Sequence, residues 1–110
     1  METTTRIEVL TTFGHALSDP TRARVLVALR AGGAYPTELA EQLGVGRTSL
    51  SNHLACLRGC GLVVAVPEGK RVRYELADGH LRRALEDLLG TVLAPDAAAC
   101  APARAGGECC

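Results

Sequence analysis

The stretch PTELAEQLGVGRTSLSNHLACLRGCGLV, residues 36–63, constrains the chain more than any other. Apolar residues fall at Leu39, Ala40 and Leu43, then at Leu50, Leu54 and Leu57, and both sets recur at helical spacing. Gly44 is suited to stopping the first helix in a left-handed conformation, so that only a tight turn precedes the second. The second helix is expected from about Arg47 to Gly59 or Cys60, with Gly61 as its stop. At 100° per residue its three leucines cluster within about 40°, which defines one buried face. Two short helices joined by a glycine turn form a helix-turn-helix, whose second helix is built to enter a DNA major groove.

What surrounds this unit extends the pattern. Two apolar segments follow, Leu62 to Val66 and Val72 to Leu76, joined by Pro67-Glu68-Gly69-Lys70-Arg71, in which Gly69 suits a hairpin turn. Upstream, Ile7, Leu10, Phe13, Ala16 and Leu17 stripe a first helix. Ser18-Asp19-Pro20 ends it and opens a second, with Asp19 as N-cap and Pro20 as first helical residue; this helix carries Ala23, Val25, Leu26 and Leu29 towards Gly32-Gly33. Downstream, Asp78 caps a last helix with a broad apolar face at Leu81, Ala84, Leu85, Leu88, Leu89, Val92 and Leu93. The expected fold is mainly α with a two-stranded β wing, in the order α-α-α-α-β-β-α: a winged helix-turn-helix. Residues 1–94 read as one domain and 95–110, PDAAACAPARAGGECC, as a flexible cysteine-containing tail.

The formal net charge is zero, yet the charges are unevenly placed. Between Gly46 and Tyr74 stand five bases, Arg47, Arg58, Lys70, Arg71 and Arg73, against one acid, Glu68, while Glu2, Glu8, Asp78, Glu86, Asp87, Asp96 and Glu108 gather towards the ends. A basic middle suits contact with phosphate. On the second helix of the unit, Arg47, Thr48, Ser49, Ser51, Asn52 and Arg58 are placed to contact base edges and phosphates, most of them on an arc clear of the leucines. Arg is suited to guanine and Asn to adenine. Lys70, Arg71 and Arg73 on the wing would add phosphate contacts without sequence information.

Five cysteines sit at Cys56, Cys60, Cys100, Cys109 and Cys110. With no basic region followed by an apolar one at METTTRIEV, and no apolar run long enough to span a bilayer, a cytoplasmic location, no membrane partner and reduced thiols are expected. Cys56 and Cys60 are one helical turn apart, with Cβ atoms about 5 to 6 Å from each other. That spacing lets two thiolates share one soft ion and disfavours a disulfide, which needs about 3.5 to 4.5 Å.

The segments LSDPTRARVLVAL and TELAEQLGVGRTSLSNHLACLRGCGLVVAVPEGKRVRYEL resemble the ArsR/SmtB family of metal-responsive repressors over residues from about 13 to 93. Within it, CLRGCGLV is similar to a cadmium- and lead-sensing branch. The resemblance implies a symmetric homodimer joined through the first and last helices, double-stranded operator DNA with inverted-repeat symmetry, and repression relieved by the inducer. It makes Cys56, Cys60 and Cys100 the metal ligands, with the tail cysteine reaching across the dimer, and leaves Cys109 and Cys110 as further thiols. A three-sulfur site suits Cd(II), Pb(II) or As(III); Zn(II) would need a fourth ligand, for which Cys109 or His53 are available. Two other sites known in the family are incomplete: TELAEQL has no thiol, and Asp78 and His80 are matched by Thr91 and Ala94, which cannot bind zinc. A thiol-redox repressor of the same fold is the nearest alternative. No phosphate loop, acid/base pair or nucleophilic triad points to an enzyme.

Overall fold

A computed structural model describes residues 5–100. The chain opens with α1 (Arg6–Leu17), whose N-terminus is closed by a capping box between Thr5 and Glu8. Ser18 ends it, and Asp19 then caps α2 (Pro20–Leu29) by accepting the Arg22 backbone N–H at 2.9 Å. α3 (Pro36–Leu43) stops at Gly44, which is left-handed at φ +67°. After two more residues α4 (Arg47–Gly59) begins. Strands β1 (Val63–Glu68) and β2 (Arg71–Leu76) pair antiparallel, and α5 (Gly79–Leu89) starts from an Asp78 cap. This is a winged helix-turn-helix, as the spacing of apolar residues and glycines predicts.

The core is aliphatic. Leu50, Leu54 and Leu57 of α4 are all 2 % exposed or less and pack with Ala16, Val25, Leu26, Leu29, Leu39, Leu62, Val63 and Leu85. Burying the whole α4 seam leaves the helix only one orientation in which its leucines are dry.

Four boundaries differ from the sequence-based expectation. α2 ends at Leu29, before Gly32-Gly33, with Arg30 as its cap. The hairpin is longer: Pro67 and Glu68 continue β1 and Arg71 begins β2, so Gly69-Lys70 alone make the turn, with Gly69 at φ +63°. α5 stops at Leu89 rather than continuing to Leu93. Gly90 weakens helix propagation there, Thr91 turns its hydroxyl back to the Asp87 carbonyl, and Val92 and Leu93 are 89 % and 81 % exposed, without a surface to bury them in one chain. Within the segment expected to be a tail, Ala97–Cys100 form one helical turn, α6, opened by the Asp96 carboxylate accepting from the Ala98 N–H. Cys109 and Cys110 lie outside the described residues.

A connection that no sequence pattern announces ties the wing to the rest: Ala34 and Tyr74 exchange two backbone hydrogen bonds of 2.9 and 2.8 Å, an isolated bridge beside β2. No helix among the described residues is long and apolar enough to cross a membrane. Leu57→Ala, at a position with no exposed surface, is expected to lower unfolding free energy by about 2 to 5 kcal/mol, measured by urea denaturation.

Candidate nucleic-acid interface and thiol site

The α4 seam decides what faces outward. With Leu50, Leu54 and Leu57 buried, Arg47, Thr48, Ser49, Ser51, Asn52, Ala55 and Arg58 are all exposed. They form a surface of short polar side chains flanked by two guanidinium groups, low enough for close approach to base edges. Gly46 leads into α4 in extended backbone.

On the wing the three bases are not equivalent. Lys70 is exposed at the turn. Arg71 lays its guanidinium 3.5 Å from the centre of the Tyr35 ring, a cation–π contact. Arg73, expected from sequence to contact phosphate, is engaged within the protein: its Nε donates to Glu68 at 2.8 Å and its Nη1 to Glu75 at 2.6 Å. Its side chain also crosses Gly33 so closely that a Cβ there would meet Nη1 at 2.6 Å. Glu68 is thereby held below the usual carboxylate range, by the Tyr35 hydroxyl first and by Arg73 second. One of the three wing bases is therefore engaged in ion pairs within the wing itself.

The two helix thiols are side by side at the end of α4. Cys56 lies on its last turn, and Cys60 is its cap, with the Cys60 N–H donating to the Cys56 carbonyl at 3.0 Å. Both are half-buried free thiols. Burial pushes the Cys60 thiol up, the neighbouring Cys56 sulfur adds to this, and Arg22 opposes it. Cys60 also lines an open cleft of about 370 Å3 with Val9 and Thr12 of α1, Gly61 and Leu62 after α4, and Asp78 and Leu81 at the start of α5. Cys60 thus faces a cleft shared with the first and last helices, with Cys56 one turn before it on α4. Those helices carry exposed apolar residues: Ile7, Val9 and Leu10 on α1, and Leu88 and Leu89 on α5.

Among the described residues, no set of three or more His, Cys, Asp or Glu side chains is placed to hold an ion. His53 turns its Nε2 to Asp19 at 3.8 Å, linking α4 to the cap of α2. Asp78 accepts from the His80 backbone and ring as the α5 cap. The arrangement of Tyr35, Glu68, Arg73 and Glu75 is one that sequence reasoning misses; an aromatic directly before the first helix of the unit and a single acid inside a basic stretch are the only signals of it.

The sequence profile described as "Bacterial regulatory protein, arsR family" matches residues 19–64. The HTH-type transcriptional regulator CmtR of Mycobacterium tuberculosis is 59% identical over 91 residues, covering 83% of this chain and 77% of that protein. The solution structure of the cadmium metal-sensor CmtR from Mycobacterium tuberculosis superposes with a TM-score of 0.65 at 60% identity, over 78% of this chain and 90% of that one. The homodimeric winged helix-turn-helix domain Mb0332 from Mycobacterium bovis, a possible ArsR-family regulator, gives a TM-score of 0.71 at 28% identity, over 76% of this chain and 77% of that one. These matches span the helix-turn-helix and most of the chain around it, and the chain belongs to the ArsR family of bacterial transcriptional regulators, not to any class of enzyme.

Proposed function

We propose that the protein is a metal-responsive transcriptional repressor. The metal-free homodimer binds double-stranded operator DNA of inverted-repeat symmetry, and capture of a thiophilic ion by Cys56, Cys60 and Cys100 lowers that affinity. The observation that carries this reading is the position of Cys60, beside Cys56 and in one cleft with residues of α1 and α5. A ligand at this pair acts at the junction between the DNA-reading helix and the two helices with exposed apolar faces. Their exposure supports a twofold interface built from α1 and α5. Contact with chromosomal DNA places the protein in the cytoplasm.

Two sulfurs on one turn offer part of a coordination shell, and a third thiol from the cysteine-containing tail completes a sulfur-only set. Cys100 is the nearest in sequence; Cys109 and Cys110 supply spare thiols. Such a set is selective for soft ions through thiolate bonding, so Cd(II) or Pb(II) are favoured, with As(III) and Zn(II) as weaker candidates. The cadmium sensor named among the relatives supports the same choice. A redox switch is the weaker reading, because burial raises the pKa of the Cys60 thiol and oxidants react with the thiolate, whereas a bound soft ion displaces the proton itself.

The cysteine pair lies apart from the exposed polar face, so release works through dimer geometry rather than by covering the reading surface. Drawing Cys60 and the tail together shifts the α4–β1 corner against α1 and α5, and the two recognition helices lose their match to successive grooves. By linkage, operator DNA weakens ion binding by the same factor that the ion weakens operator binding, typically about 5- to 150-fold.

Cys56→Ser and Cys60→Ser are each expected to leave operator affinity of the metal-free protein nearly unchanged while abolishing Cd(II)-induced release and the sulfur-to-metal absorbance band. Fluorescence anisotropy with a labelled operator and ultraviolet titration check this, and loss of DNA binding without metal would count against the scheme. On the wing, Lys70→Ala is expected to reduce the slope of log affinity against log salt by about 0.9 for each phosphate that Lys70 neutralises. Arg73→Ala should leave that slope unaltered, because its charge is already matched by Glu68 and Glu75.

A further inference from the structure

Glu68 is the one acid in the basic stretch between Gly46 and Tyr74, and it stands at the last position of β1, next to the turn of a hairpin expected to face phosphate. A carboxylate there opposes DNA binding unless its charge serves another purpose. The fold shows that purpose. One Glu68 oxygen accepts the Tyr35 hydroxyl at 2.5 Å across 33 residues of sequence, and the other accepts Arg73 Nε at 2.8 Å. Arg71 directly faces Glu68 across the ladder and stacks on the ring of the same Tyr35. Tyr35 itself is the residue before α3, and its N–H is held by Glu38 at 3.2 Å. Beside it, Ala34 is bonded to Tyr74 of β2. The turn end of the hairpin is thus fastened to the residue that opens the helix-turn-helix.

We propose that Tyr35 is a positioning residue for DNA recognition: its hydroxyl on Glu68 and its ring under Arg71 set the angle of the wing relative to α4, so that wing and recognition helix meet one duplex together. A two-stranded hairpin has little rigidity of its own, and its twist is free to vary unless something outside the ladder holds it. The Ala34–Tyr74 bridge holds the hairpin midway along β2, and the Tyr35 contacts hold it near the turn. Two attachment points along the hairpin's length resist rotation, where one would leave a hinge. The inference rests on the reading of α4 and the wing as the duplex-facing surface.

The test uses the full-length protein and a duplex carrying the inverted repeat that the parent protein selects from random-sequence DNA. Tyr35→Phe removes the hydroxyl and keeps the ring. It is expected to lower affinity for the selected duplex about three- to tenfold, the size of one ordinary solvent-accessible hydrogen bond. Affinity for random duplex and the salt slope should be unchanged, since the charges are untouched, and the thermal midpoint should fall by only a few degrees, since the core is untouched. Glu68→Ala combined with Tyr35→Phe should cost less than the sum of the two single substitutions, because both break the same hydrogen bond. In Tyr35→Leu the upfield NMR shift that the ring imposes on the Arg71 side-chain protons should vanish. A parent that prefers its selected duplex, with Tyr35→Phe binding it equally well, would overturn the inference alone. So would Glu68→Ala binding selected and random duplex more tightly to the same degree, which would make Glu68 a repulsive charge and nothing more. A parent with no preference for any duplex would overturn the DNA-recognition reading itself, and this inference with it.

Discussion

Burial of the leucine seam of α4 is the constraint on which the other features depend. Leu50, Leu54 and Leu57 can all leave water only if the helix is rolled to one angle, and that angle is set by packing rather than by any contact with DNA. The roll turns Arg47, Ser51, Asn52 and Arg58 outward as a group. It also leaves Cys56 and Cys60 half-buried, with Cys60 in the cleft that α1 and the start of α5 line. Reading surface and thiol pair are two consequences of one packing arrangement, and neither can be reoriented without exposing the seam.

Electrostatics operates inside the limits that packing sets. Counting charges along the chain assigns three bases to the wing, but in the fold Arg73 is matched by two carboxylates and Arg71 rests on an aromatic face. Charge engaged in holding a hairpin still is not free to attract phosphate. The balance limits attachment that is indifferent to sequence, since each additional free cation would strengthen binding to every duplex alike.

Much of this is legible in the amino-acid order. Asp19-Pro20, Gly44 and the leucine spacing are local signals: a cap, a left-handed stop and a periodicity each act within a few residues, and each has its expected outcome in the structure. Features that depend on residues far apart are not legible in the same way. The end of α5 is one, because the apolar pattern continues through Val92 and Leu93 while Gly90 interrupts the backbone, and pattern alone does not say which wins. The Ala34–Tyr74 bridge is a single pair with no strand periodicity to announce it. The Tyr35–Glu68 hydrogen bond joins positions 33 apart, and only the closing of the hairpin against α3 brings them together. The thiol pair is legible as a pair from its four-residue spacing, but the cleft that Cys60 shares with Val9 and Asp78 is not, since that cleft is made by separate parts of the chain.

The division of α4 along its length has a mechanical result. Apart from Arg58, which lies between the two cysteines, the exposed polar residues Arg47 to Asn52 occupy its first turns and Cys56 and Cys60 its last, with the centres of the two groups roughly 12 Å apart at 1.5 Å per residue. Leu50, Leu54 and Leu57 hold the helix to the core along its length. A rod held at three points on one face moves as a unit with the core it packs on, so a displacement at either end is carried to the other. In a twofold assembly any such displacement occurs in both copies at once.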